Sequence, residues 1–332
     1  MTVPPTPARS GPAARADAEA EWDVAGHYAL GSTLSVLQRG AHDPCARVGD
    51  SLAWLCFGTE AGPASLRLSA VPRPAAAPGC PSTTVRIQGW GPGARLAVAS
   101  APALLGERDD WSGFDESGFA ETLPRMASEA RRAHPGVRLP STGRVFDSLV
   151  PAILEQKVTT IEARHAWRYL ARKFGTPAPG PAPEGMRIPP GPHALRRIGS
   201  WDWHAARVDL SRRTTILRAA ESAAGIDRLG ALRLEEDPGR RLQGIPGIGP
   251  WTTAEVLQRT HGDPDSVSVG DYHLAAYVGY ALTGRKTDDA GMLDLLRPWS
   301  GHRQRVVRMI GLSGFRKPAF GPRLAPEDHR GR

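Results

Sequence analysis

The sequence predicts an α+β protein, with a mostly α-helical core behind an N-terminal domain built on an antiparallel β-sheet. Three observations carry this. From about Trp22 to Leu105 short β-type runs alternate with Gly, Pro and Asp turns. Further along, apolar residues recur at helical spacing. A Pro-Gly-Ile-Gly turn, Pro246 to Gly249, then joins two of the helical stretches. At 332 residues the chain exceeds the size at which one core is usual. Its texture divides it into a tail (1–20) expected to be disordered, a sheet domain (21–110), a helical core of two lobes (111–315) and a basic tail (316–332).

Residues 1–20 are rich in Pro, Ala and Arg and carry no periodicity. Four runs read as strands: "TLSVLQRG" from Thr33, "SLAWLCFG" from Ser51, "ASLRLSAV" from Ala64 and "TTVRIQGWG" from Thr83. In the helical region Phe146, Leu149, Val150, Ile153 and Leu154 fall at i, i+3, i+4, i+7 and i+8, one continuous apolar face and hence a core helix. Directly after it, Thr159 and Glu162 have capping-box spacing, so a second helix starts near Thr160 and buries Ala163, Ala166, Trp167 and Leu170. Glu155, Gln156 and Lys157 are left on a polar corner between the two. Residues 175–193 are too rich in Pro and Gly to be regular and read as a surface linker. Asp237 and Pro238 mark another helix start, a cap followed by proline in the first turn. The last helices are placed in "DYHLAAYVGYAL", "AGMLDLLRPW" and "HRQRVVRMIGL".

Lys and Arg total 42 against 34 Asp and Glu, a net charge of +8 that suits a polyanionic partner. Only four of these cations are lysines: Lys157, Lys173, Lys286 and Lys317. Cys45, Cys56 and Cys80 lack metal-ligand spacing and are expected to be buried reduced thiols. With no signal-like or membrane-spanning apolar run, the sequence reads as that of a soluble, cytoplasmic protein.

The hairpin carries the first chemical signal. Gly247 and Gly249 permit positive φ and close approach of backbone to a ligand, and Ile248 can plug between the helices. Free amides of the turn and of the helix opening at Pro250 point one way, with the helix dipole behind them, which suits a phosphate. Thr252 is placed to add a hydroxyl contact. Such a grip on the DNA backbone gives affinity without sequence preference. The second signal is Asp271, just ahead of an apolar helix, where it can cap that helix and present a carboxylate at once.

"PGIGPWTTAEVL" followed by "VSVGDYHLAAYVGYAL" resembles the helix-hairpin-helix DNA glycosylases, most of all the branch of bacterial 3-methyladenine DNA glycosylase II. The resemblance covers roughly Asp110 to Leu312. It implies that Asp271 is catalytic, a carboxylate beside C1′ that stabilises an oxocarbenium-like sugar. Trp251 stands where members that also cleave the strand have a lysine, which implies base release by water and an abasic product. Trp251 and Tyr272 correspond to aromatic positions of the base pocket, whereas Glu255 stands where a tyrosine is expected and the last helix lacks the expected tryptophan. The resemblance also implies that Lys157 or Gln156 wedges into the gap left by a flipped nucleotide. Gly247, Ile248, Gly249 and Thr252 are the implied DNA contacts, and Arg303, Arg305 and Arg308 are either phosphate contacts or a charged helix face. With no cysteine after Cys80 an iron–sulfur cluster is excluded. No cofactor is expected beyond a monovalent cation at the hairpin when DNA is bound. The implied partner is double-stranded DNA with damaged bases, bound by a monomer in the bacterial nucleoid. The implied function is excision of alkylated purines; the alternatives are an inert damage-binding protein and a glycosylase for other lesions.

Overall fold

The computed structural model describes residues 15–73 and 82–318. Five strands, β1 (Ala18–Ala25), β2 (Ala46–Val48), β3 (Leu52–Thr59), β4 (Gly62–Arg73) and β5 (Ser82–Trp90), form an antiparallel sheet in the order β1-β5-β4-β3-β2. Register is fixed by pairs such as Leu68 with Ile87 and Trp22 with Val85. One face carries Leu55, Leu66, Leu68, Val85 and Ile87 and is covered by α1 (Ala94–Leu104), whose Ala97, Ala101 and Leu104 are fully buried. Gly89 lies under that helix, where a Cβ would come 2.9 Å from Val98.

Two sequence expectations fail in this domain. The run from Thr33 is no strand: Leu30–Leu34 is a short helix, continued as a 3-10 turn over Ser35–Leu37. Leu30, Thr33 and Leu34 are the buried positions there, the three- and four-residue spacing of a helix rather than the alternation of a strand. The expected tail is the second: Ala18, Glu19 and Ala20, assigned to residues 1–20, pair with Gly89, Gln88 and Ile87. Composition conceals an edge strand whose partner lies about 70 residues away. Residues 1–14, and Cys80, lie outside the described residues. Cys45 and Cys56 are buried free thiols, and burial pushes the Cys56 thiol up to about 11.

The helical core is built from α2 (Arg125–Ala133), α3 (Val145–Leu154), α4 (Thr160–Phe174), α5 (Leu210–Glu221), α6 (Pro238–Gln243), α7 (Pro250–Thr260), α8 (Leu274–Thr283), α9 (Asp289–Leu296) and α10 (Arg303–Leu312). It forms two apolar clusters. One centres on α3, with Phe146, Leu149, Val150, Ile153 and Leu154 all buried against α4, α5 and the hairpin residue Ile248. The other gathers Phe114, Val278, Met292, Leu296, Val306 and Met309 from α8, α9, α10 and the chain before α2. The expected capping box opens α4: Thr159 Oγ1 accepts from the Glu162 amide at 3.3 Å and Glu162 Oε2 accepts from the Thr159 amide at 2.9 Å. Asp237 caps α6, accepting from the Arg240 amide at 2.9 Å.

The region 175–193 is less irregular than expected. Thr176–Pro177 (β6) and Arg187–Ile188 (β7) pair as a two-stranded ribbon. Met186 and Ile188 pack under the stacked rings of Trp54 and Trp90 on the outer face of the large sheet. The two apolar residues need that cover, so the segment straps the sheet domain to the core instead of looping through solvent.

A candidate active site beside the hairpin

At the hairpin only Gly247 uses positive φ, at +99°, while Gly249 sits at −104° as the residue ahead of α7. A Cβ on Gly247 would meet Thr215 Oγ1 of α5 at 2.3 Å, so both conformation and space demand glycine there. Gly247→Ala is expected to cost about 2–4 kcal/mol through strain and overpacking. A denaturant midpoint equal to wild type would refute the tight seat. Gly249 faces open space. The amides of Gly249, Trp251 and Thr252 meet no acceptor among the described residues, while Thr253 N–H donates to Gly249 O at 3.0 Å. The arrangement leaves donors and the positive end of a helix facing outward.

Other hairpin residues have inward duties. Ile248 is buried in the core cluster, so its side chain plugs the helices and only its backbone faces the loop surface. Thr252 is 2% exposed and its hydroxyl accepts from Gln156 Nε2 at 2.8 Å. The same Gln156 nitrogen donates to Gly247 O at 3.0 Å. Gln156 is therefore a brace between the corner and the hairpin, with the Thr252 hydroxyl as one of its acceptors. Lys157 is exposed in the left-handed region, φ +52°, which for a side chain bearing a Cβ costs about 1–2 kcal/mol. The fold holds this strain at an exposed corner. Lys157→Gly is expected to relieve it, raising stability by about 1 kcal/mol while slowing any reaction that needs a wedge. Unchanged melting temperature and unchanged turnover together would show that Lys157 is an ordinary surface residue.

Asp271 is fixed from both sides. Its Oδ1 accepts from the amides of His273 at 2.8 Å and Leu274 at 2.9 Å, so it does cap α8, while Trp251 Nε1–H donates to Oδ2 at 3.2 Å. A cavity of about 260 Å³ opens beside it. Glu255 and Gln258 of α7 line this cavity together with Ser268, Asp271 and His273 of the loop. Leu274 and Tyr277 of α8, Gln304 and Val307 of α10, and Lys317 complete it. Glu255 Oε1 accepts from Ser268 Oγ at 2.6 Å and Oε2 from Arg259 Nη1 at 2.8 Å. Burial alone would raise the Glu255 carboxyl, but Arg259, Ser268 and the more distant Arg39 hold it below the ordinary carboxylate range. Arg39, from the sheet domain, in turn bonds both oxygens of Glu155 at 2.7 and 2.8 Å. Alternating carboxylates and guanidiniums thus run from the Lys157 corner to the cavity wall.

The structure brings Asp271 and Glu255 together. It does not bring Trp251 or Tyr272 into the lining: Trp251 supports Asp271 from the side, and Tyr272 is 78% exposed because the turn that aims Asp271 inward points its neighbour out. The three arginines of α10 are internally committed. Arg303 bonds Asp265 at 2.8 Å, Arg305 is buried against Asp109, and Arg308 donates to Ser32 O. Sequence reasoning misses Gln258, Ser268, His273, Tyr277, Gln304 and Lys317 as site residues. Gln258 shares the face of Glu255 at i+3 and is legible in principle, whereas Gln304 and Lys317 arrive from α10 and beyond by tertiary folding.

The sheet domain, the two-cluster helical core and the hairpin beside Asp271 define the fold of the helix-hairpin-helix DNA glycosylases. In particular, the chain is similar to a 3-methyladenine DNA glycosylase from Archaeoglobus fulgidus, with 14% identity, a TM-score of 0.68 and coverage of 89% of this chain and 99% of that one. It is similar also to an 8-oxoguanine glycosylase/lyase of Clostridium acetobutylicum. The apo form gives 11% identity, TM-score 0.61 and coverage of 90% and 99%. The complex with double-stranded DNA containing cytosine opposite 8-oxoguanine gives 12%, 0.59, 89% and 97%. No protein-family model and no curated protein sequence matches the chain. Among the described residues no helix is long and apolar enough to cross a membrane.

Proposed function

We propose that this protein is a DNA N-glycosylase that extrudes a damaged purine from the duplex and hydrolyses its glycosidic bond. The observation that carries the reading is Asp271, a carboxylate anchored by two helix-start amides and an indole N–H, at a cavity next to a hairpin with outward amides. In this mechanism the hairpin holds a phosphate, Lys157 fills the vacated stack and the flipped base enters the cavity. As the C1′–N bond breaks, positive charge grows on the sugar and Asp271 stabilises it. The cationic base departs as a neutral molecule, water adds to C1′ and its proton passes to Asp271 and on to solvent, leaving an abasic site. An N-alkylated purine is already cationic and needs no strong general acid, which fits a site where the one other carboxylate, Glu255, is tied to Arg259. The fold likeness to a protein described as a 3-methyladenine glycosylase supports that class of substrate. The protein acts as a monomer on duplex DNA, without a cofactor.

One observation favours a second lesion class. Glu255, Gln258, Ser268 and Gln304 set a few hydrogen-bonding groups into an otherwise largely apolar wall, the means by which a neutral oxidised base is told from its parent. Incubation with duplexes carrying 3-methyladenine, 7-methylguanine or 8-oxoguanine, followed by chromatography of free base and alkaline cleavage of the strand, tests both. Release of methylated purines supports the first reading and release of 8-oxoguanine the second. Tight binding without release of any base would make the protein a damage binder.

A further inference from the structure

The hairpin offers no amine, yet a lysine reaches the cavity by another route. After α10, Gly314 turns the chain back with φ +78°. Ser313 Oγ accepts from the Phe315 amide at 3.2 Å and the Phe315 ring packs on Tyr277, centroids 5.4 Å apart. Tyr277 Oη donates to Ile310 O at 3.2 Å and lies 3.4 Å from Phe315 O, pinning this strap to α8. Two residues on, Lys317 lines the cavity that contains Asp271, with Nζ 3.4 Å from His273 Nδ1. Among the four lysines, Lys157 is on the exposed corner, Lys173 is paired with Asp202, Lys286 is exposed beyond α8, and Lys317 alone lines the cavity that holds the Asp271 carboxylate. In a chain that otherwise carries its positive charge on arginine, a primary amine occupies the one place where its nucleophilicity has a use.

We propose that Lys317 captures the abasic sugar as a Schiff base and cleaves the strand on its 3′ side. His273, in the tautomer with a free Nδ1 lone pair, takes a proton from the ammonium. The neutral amine adds to the C1′ aldehyde of the ring-opened sugar. Loss of water from the carbinolamine leaves a C1′=N bond, which acidifies C2′. Asp271 accepts the C2′ proton, the electron pair forms C2′=C3′, and the C3′–O bond breaks with departure of the phosphate. Hydrolysis of the Schiff base regenerates the amine. Base release itself stays with water, and Lys317 acts only on its product.

This inference rests on the site assigned above but not on the lesion that site excises, because a duplex with a preformed abasic site needs no base release. Treating the protein and such a duplex with sodium borohydride is expected to give a covalent adduct whose DNA-bearing peptide contains Lys317. Lys317→Arg keeps the cation and the DNA affinity but cannot form the imine, and is expected to lose the adduct by at least about tenfold. Lys286→Ala, at an exposed lysine beyond α8, is expected to trap like wild type. An adduct undiminished in Lys317→Arg, or no adduct from wild type that binds the duplex, overturns the proposal. Wild type that traps abasic DNA yet releases no base from any lesion overturns only the glycosylase reading.

Discussion

Replacing Asp271 by asparagine is expected to slow base release by about 10³-fold while leaving the fold and the affinity for DNA near wild type. Asparagine keeps the oxygen that accepts from the His273 and Leu274 amides, so α8 retains its cap. What disappears is negative charge at the point where the sugar becomes positive, and the acceptor that Trp251 Nε1–H now uses. A thousandfold loss corresponds to about 4 kcal/mol of transition-state stabilisation, more than the loss of one hydrogen bond to a half-buried indole explains. The measurement is single-turnover base release from a methylated duplex, with binding followed separately. Full activity in Asp271→Asn would remove this residue from the chemistry and reduce it to a helix cap. Trp251→Phe gives the complementary reading: the ring remains, the N–H is lost, and a fall of roughly tenfold is expected if aiming of the carboxylate matters.

The helical elements are legible because each rests on local rules. The apolar face from Phe146 to Leu154, the Thr159–Glu162 box and the Asp237–Pro238 start are decided within a turn or two of chain, and the fold uses them as read. The cap at Asp271 is legible for the same reason, since a lone acidic residue before an apolar helix has few local roles. What fails depends on distant partners. The edge strand at Ala18 exists because β5 is there to pair with it, and the β6–β7 ribbon is ordered by the outer face of the large sheet. Residue type alone gives no sign that Gln156 donates to Thr252 across 96 residues of sequence. The arginines of α10 read as either phosphate contacts or a charged helix face, and are instead consumed by Asp265, Asp109 and a main-chain oxygen. A basic composition thus overstates the charge available to a polyanion, because part of it is neutralised inside the fold.

Glu255→Ala is expected to be the most destabilising single change at the site, costing about 3–5 kcal/mol, because it strands a buried guanidinium. Arg259 gives Nη1 to Glu255 Oε2 and to its own helix at Glu255 O, 2.6 Å, and Nε to Val36 O of the sheet domain at 2.9 Å. Burial already lowers the Arg259 pKa, and the nearby Arg39 adds to the cost of its charge, so removing the carboxylate leaves two cations with one fewer counter-charge. Domain stabilities are of the order of 5–15 kcal/mol, so this loss consumes a large share of the margin. Replacing both partners, Glu255→Met with Arg259→Met, is expected to be less costly than Glu255→Ala alone, since no uncompensated charge remains. The pH dependence follows from the sign of the shift. Glu255 has its folded carboxyl below the ordinary value of 4.5, so its contribution is complete above that value and is lost as pH falls through the lower folded one. The stability difference between wild type and Glu255→Gln, read as a denaturant midpoint, should therefore be full at pH 7 and narrow steadily below about pH 4.5. A difference that stays constant to about pH 3 would mean that the carboxylate charge contributes nothing and that only its shape is needed. A collapse of both domains together in Glu255→Ala would instead show that the Glu255–Arg259 pair, through the bond of Arg259 to Val36 O, is what couples the sheet domain to the cavity wall.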